Sequence, residues 1–196
     1  MADPTVLKAL PWPLPEHRAP VDGLLARWSE PGRRYHTVQH LAECLAAATQ
    51  LGAGTDELLA LWLHDAVHTN TPGADEAASA RLVGELLGGA IGPSRLHEVS
   101  RLVLLTAAHR PVVGDRAGAI VCDADLWVLG AEPARYAESV AQLQAERGLP
   151  DATWRQVRWS QVTARLAGPI FHTAAGQARE PRARANLRAE RADLAG

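Results

Sequence analysis

Cysteine and lysine are nearly absent from this 196-residue chain. The two cysteines, Cys44 and Cys122, each lie in an apolar stretch without a partner at metal-finger or redox spacing. That excludes a disulfide framework and reads as reduced core residues of an intracellular protein. Lys8 is the only lysine, so arginine carries almost all the positive charge. This bias fits a GC-rich genome, although arginine is the better phosphate fork wherever it lines a site. Long apolar runs are missing as well: the longest, Leu58 to Leu63, falls far short of the roughly 20 residues of a membrane-spanning helix. The first twenty residues have no basic start, sustained apolar stretch or small-residue cleavage site. A soluble, cytoplasmic protein is expected. The net charge is only -2, with a sequence pI near 6.4, so no overall attraction draws the chain to nucleic acid or to an anionic membrane. Neither is an expected partner.

Two-residue apolar alternation is also lacking. What is there instead is a series of segments of helical length, separated by proline and glycine at 11–20, 31–32, 52–54, 71–73, 88–93, 111–118, 148–150 and 168–169. The expected fold is all-α. Thr55, Ser94 and Asp151 stand where N-caps belong. The segment Ser94 to Ala108 keeps Leu96, Val99, Leu102, Val103 and Ala107 to one side, whereas residues 58–67, LLALWLHDAV, are apolar all round and belong at the centre of the fold. The length fits one domain, able to bury about 70% of its unfolded surface. A core over about 20–147 with C-terminal helices over about 151–193 packed on it is expected. No repeat or low-complexity block occurs apart from the Arg/Ala-rich tail 178–195, whose arginines alternate with Glu180, Glu190 and Asp193 like a solvated helix. The six tryptophans, expected in helices, read as packing anchors.

The chemistry resides in a few spaced residues. His64 and Asp65 end the central apolar helix, where a buried carboxylate is disfavoured twice, by desolvation and by the helix C-terminus, so a cation should stand beside it. A purely structural reading supplies an arginine; a functional one supplies a metal. His36 and His40 lie four residues apart, and on a helix from about Arg34 to Leu51 they share a face. Asp123 and Asp125 place two more carboxylates in an apolar segment; helix capping accounts for Asp123 better than for Asp125. Two imidazoles and two carboxylates, from His40, His64, Asp65 and Asp125, make a cage for a divalent metal, and a metal that holds water is a route to hydrolysis.

The ordered set His40, His64-Asp65, Asp125 resembles the H…HD…D signature of the HD-domain metal-dependent phosphohydrolases, a helical superfamily. The closer resemblance is to a small bacterial group described as predicted metal-dependent HD superfamily phosphohydrolases. The matching stretches are RRYHTVQH from Arg33, LWLHDAVH from Leu61, DEAASA from Asp75, LTAAH from Leu105, CDADLWVLG from Cys122 and EPRARANLRAE from Glu180. The resemblance implies an HD-domain-like helical bundle with a C-terminal helical extension. It makes His40, His64, Asp65 and Asp125 the metal ligands, with positions left for water and a phosphate oxygen. The donors suit Mn, Fe, Co, Ni or Zn, and Mg less well. The implied reaction is hydrolysis of a phosphoester or phosphoanhydride by metal-activated water, in a small phosphorylated substrate such as a nucleotide.

Further roles follow from the same resemblance. Tyr35-His36 resembles the YH-x3-H element of cyclic-nucleotide phosphodiesterases, which makes His36 the proton donor to the leaving oxygen. Asp65 and Asp123 join it as catalytic residues, Asp123 by orienting a ligand or a water. Around the substrate the expected residues are Arg34, Tyr35, His68, Glu76, Arg81, His109 and Arg110, the arginines as bidentate phosphate holders. Asp75 and Glu76 also fit a helix first turn. Two other functions suit the same scaffold: a di-iron oxygenase with a second metal on His68 and His109, and a non-catalytic domain that senses a nucleotide or phosphate.

Overall fold

A computed structural model describes residues 10–196; residues 1–9, part of the stretch read as carrying no targeting signal, lie outside the described residues. Nine α-helices and one 3₁₀ segment make up the described residues, without a strand. In chain order they are α1 (Val21–Trp28), α2 (Val38–Gln50), α3 (Thr55–Leu63), α4 (Ala74–Leu87), α5 (Pro93–Leu105), α6 (Arg116–Asp125), the 3₁₀ segment Leu126–Gly130, α7 (Pro133–Arg147), α8 (Asp151–Leu166) and α9 (Ala174–Ala195). No helix among the described residues is long and apolar enough to cross a membrane.

The helix starts differ from the expected caps. Ser94 is already inside α5, because Pro93 takes the first position after Gly92, where the missing N–H of proline has no partner to lose. Thr55 follows an N-cap at Gly54, whose N–H donates to Glu57 Oε2. Asp151 is the first residue of α8, where its charge meets the positive end of the helix dipole. The largest correction concerns α2. It begins at Val38, not Arg34, since Thr37 is extended and its Oγ1 accepts the Gln39 N–H. Tyr35 and His36 therefore precede the helix. At the other end α5 stops at Leu105 rather than Ala108.

The central position of the apolar segment holds. Leu59, Ala60, Leu61, Trp62 and Leu63 are fully buried, and α3 packs against α2, α4, α5 and α6. Each such leucine contributes about 1.5–3 kcal/mol relative to exposure. Trp28 Nε1–H donates to the Trp62 carbonyl at the end of α3, and Trp12 meets the Trp62 ring edge-on. The tryptophan expectation holds in part: Trp12 lies outside any helix and Trp159 is exposed.

A second apolar cluster, Tyr136, Val162, Ile170, Phe171, Ala183 and Leu187, joins α7, α8 and α9. Trp127 of the 3₁₀ segment touches both clusters, so this segment bridges the two parts. The tail is not simply a solvated helix. Glu180 accepts the Ile170 and Phe171 N–H groups, Arg184 donates to the Leu166 and Gly168 carbonyls, and Glu190 is buried against Arg158.

Candidate metal centre

The inner group forms where three helices end or begin. α2 carries His40 and, one turn on, Cys44; His64 caps the C-terminus of α3 with Asp65 next; Asp125 ends α6. His40 Nε2 is 3.0 Å from Asp125 Oδ1 and 3.8 Å from Asp65 Oδ2. His64 Nε2 is 3.0 Å from Asp65 Oδ2 and 3.4 Å from Asp125 Oδ1. His40, Cys44, His64 and Asp125 each offer a ligand atom, all within 4.8 Å of one another. His64 is fixed from both sides. Its Nδ1–H donates to the Leu61 carbonyl oxygen at 2.8 Å, and its ring rests against Trp28.

The Nε2 atom of His64 is buried and makes no hydrogen bond despite two carboxylate oxygens within 3.4 Å. Distance without alignment is the relation of ligands that point at a shared cation rather than at each other. The field is consistent with this. Burial alone would push the His64 imidazole down, but Asp65 and then Asp125 overcome it and hold it well above its usual range. Burial raises both carboxyls, and His64 more than reverses that, so Asp65 and Asp125 stay well below the usual carboxylate range. A pocket with that potential concentrates positive charge.

Cys44 was read from the sequence as core packing, and the fold puts it in this group. Its Sγ lies 3.6 Å from both ring nitrogens of His40. Burial, and then the negative charges nearby, hold its thiol well above the ordinary value, so it is protonated without a metal.

An outer group lies beside the inner one. His36 Nε2 is 3.8 Å from Asp65 Oδ2, and its Nδ1 meets Glu146 Oε1 in a short hydrogen bond. His68 Nε2 is 3.1 Å from the same oxygen, and the two imidazoles stack with centroids 4.2 Å apart. The other carboxylate oxygen, Oε2, accepts the backbone N–H groups of Arg34, Tyr35 and His36 at 2.7, 3.0 and 3.1 Å. Burial would raise the Glu146 carboxyl, but these partners hold it far below its ordinary value. Arg33 supports the same loop. Its guanidinium is buried and donates to the His36, Asp65 and Ala66 carbonyls. An arginine thus does adjoin Asp65, at its backbone and not at its carboxylate.

A cavity of about 190 Å³ opens over both groups, lined in part by Tyr35, His36, Asp65, Glu76, His109 and Asp125. Tyr35 meets His36 edge-on and packs at a tilt against His40. His109, in the left-handed region at φ 51°, turns its Nε2 to Asp125 Oδ2 at 2.7 Å. Glu76 reaches the cavity and also accepts the Gly73 N–H.

Other expected residues are not brought to this cavity. The Arg34 guanidinium turns to the Pro31 and Arg33 carbonyls. Arg81 and Arg110 are exposed and do not line it. Asp123 is the clearest correction: fully buried, it accepts the N–H groups of His172 and Thr173 and the Thr173 hydroxyl. It therefore holds the entry to α9 and orients nothing at the cluster. The fit is tight, since a Cβ at Gly176 would stand 2.3 Å from Asp123 Oδ2.

The residues missed by sequence reasoning are Glu146, Arg33, Cys44 and Arg158, the last a lining residue of the cavity. Cys44 had a local signal, because it follows His40 by one helical turn. Glu146 had none, being 110 residues from His36.

The donor set suits a cation. Imidazole and carboxylate in this mixture fit Mn, Fe, Co, Ni or Zn, and a thiol within reach fits the softer end of that series. The inner group can thus hold a metal ion. No protein-family model, curated protein or solved structure matches this chain.

Proposed function

We propose that the chain is a metal-dependent phosphohydrolase of the HD-domain type, hydrolysing a phosphoester or phosphoanhydride in a small phosphorylated substrate, a nucleotide or a related compound. The observation that carries this reading is the unpartnered, buried His64 Nε2 facing Asp65 and Asp125 beside His40. The resemblance of the H…HD…D series supports it, because its four members meet in one cluster, of which Asp65 and Asp125 line the cavity.

His40, His64, Asp65 and Asp125 would hold the ion, with Cys44 adjacent. A divalent cation there supplies charge neutralisation for the phosphoryl oxygens and acidifies water. Asp65 lines the cavity as a carboxylate and orients the attacking water by accepting a hydrogen bond from it, the proton of the water passing to solvent. His36 turns Nε2 towards Asp65 and the cavity, and gives its proton to the leaving oxygen. Glu146 accepts from His36 Nδ1, which fixes the ring orientation, and the three backbone donors on its other oxygen fix Glu146 itself. Tyr35 packs against both His36 and His40 and excludes water from one side.

The test is metal content together with phosphate release from a panel of nucleotides and p-nitrophenyl phosphate esters, with added Mn, Co, Ni or Mg. Release should depend on the metal and drop by about 10³-fold or more in Asp65→Ala with the helical circular dichroism intact. Full release by metal-free Asp65→Ala protein would overturn the reading.

A di-iron oxygenase keeps one specific support: His36, His68 and Glu146 also offer ligand atoms within 4.8 Å of one another. This set differs from the His68 and His109 expected from the sequence, since His109 is committed to Asp125. Two irons per chain with oxygen consumption would establish it; one ion per chain without oxygen consumption would exclude it.

A further inference from the structure

Arg158 is the one guanidinium among the residues that line the cavity. It is a built feature. Its Nε and Nη2 donate to Glu190 Oε1 and Oε2 at 2.7 and 3.1 Å, and its side chain is only 13% exposed. The Tyr136 hydroxyl donates to the same carboxylate, so Glu190 is held from α7 while it holds Arg158 from α9. The fork is thereby oriented with Nη1 free of any hydrogen bond to a described residue. A guanidinium carries five N–H donors and no acceptor, so the free edge can be satisfied only by water or by an acceptor in the cavity.

A neighbour strengthens the case. Arg165 lies seven residues further along α8, on the same face. It is half-buried, with no ion pair or hydrogen bond to a described residue. Burial, with Arg110 and Arg158 adding to it, pushes its guanidinium below the ordinary value while Asp125 opposes this. The two arginines share a face of α8, and of the two only Arg158 has a carboxylate of its own. An anion would relieve them.

The same cavity wall carries Leu126, Val128, Leu129 and Leu143, beside the hydroxyl residues Thr106 and Ser139. Its volume, about 190 Å³, is below the roughly 300–1,000 Å³ of pockets that enclose drug-sized molecules. A whole nucleotide would leave its base outside.

We propose that Arg158, backed by Arg165, is the anion-recognition residue of this cavity, and that the substrate is a compact phosphorylated acid. Such a molecule has its phosphate at the metal group, a short carbon chain along the leucines and a carboxylate or second phosphate on the free edge of Arg158. This deepens the phosphohydrolase reading and rests on it for the phosphate end only.

The experiment uses two non-hydrolysable probes, propylphosphonate and 3-phosphonopropionate, titrated calorimetrically into the manganese-loaded full chain. The bis-acid should bind about tenfold more tightly or better, the worth of one charge-assisted fork. The preference should vanish in Arg158→Met/Glu190→Gln, which removes both charges of the buried pair and leaves an amide oxygen for the Tyr136 hydroxyl. It should shrink in Arg165→Gln, a change that breaks no ion pair. Equal binding of the two probes by the native chain, no binding of either, or a preference that survives the double substitution would each overturn the proposal. The two readings separate cleanly: a preference without phosphate release from any compound leaves Arg158 in its role and removes the hydrolase, whereas release without a preference does the reverse.

Discussion

Two histidine groups sit side by side in this molecule, built from the same side-chain types, and they differ in how their polar atoms are satisfied. In the outer group Glu146 occupies every position: one oxygen takes the two imidazoles and the other takes three backbone donors. In the inner group two carboxylates lie within 3.4 Å of His64 Nε2 and still leave it unbonded. Buried polar groups are almost always paired, and of the buried atoms left without a partner, which include Asn70 Oδ1, Thr163 Oγ1, His172 Nε2 and Arg179 Nε, His64 Nε2 is the one that faces two carboxylates. The comparison teaches that residue type alone does not distinguish the two groups. Satisfaction does.

The comparison breaks most visibly at His64. His64→Ala should lower the affinity of the inner group for Mn or Zn by about 10³-fold, several kcal/mol, with little effect on the outer group; competition against a chelator measures it. An unchanged affinity would transfer the metal to His36, His68 and Glu146. Glu146→Gln is the reciprocal probe. It should leave the metal content unchanged and reduce kcat by about 10²-fold, because His36 loses its orienting carboxylate. If Glu146 is a ligand instead, metal is lost together with activity.

Acid provides a finer distinction. The folded Glu146 carboxyl titrates below its ordinary value of 4.5. Its contribution to stability is therefore complete above the unfolded value and is lost progressively as the pH falls below about 4.5 towards the folded value. Urea midpoints measured from pH 6 to pH 3 on metal-free protein should fall more steeply for the native chain than for Glu146→Gln. Parallel curves would show that the carboxylate is not held as described.

The smallest effect is expected at Cys44. Cys44→Ala should weaken metal binding by less than about tenfold, the range of a neighbour that tunes a site rather than a direct ligand. The cobalt-loaded native protein should correspondingly lack a sulfur-to-metal charge-transfer band; a strong band would make the thiolate a ligand in place of Asp65.

Much of this was legible in the chain. The punctuation by proline and glycine marks the helices, and the all-apolar segment before His64 marks the centre, because both depend on neighbours in sequence. The errors follow the same logic. The start of α2 moved to Val38 because Thr37 is a better cap than anything near Arg34. Asp123 and Asp125 differ by two positions, about 200° around a helix, so one faces α9 and the other faces His40. Capping was already the simpler account of Asp123, and the partner that it caps proved to lie 50 residues away.

The sequence by itself determined the helical class, the buried α3 and the histidine and aspartate positions from which a metal group can be built, since periodicity and short spacings are local properties. The tertiary structure alone decided that Glu146 holds His36, that Asp123 turns to the entry of α9, and that Arg158 rather than Arg34 or Arg81 lines the cavity. Those relations are set by the packing of α7, α8 and α9 against the first six helices, where side chains far apart in the chain must share one buried volume and satisfy one another's charges.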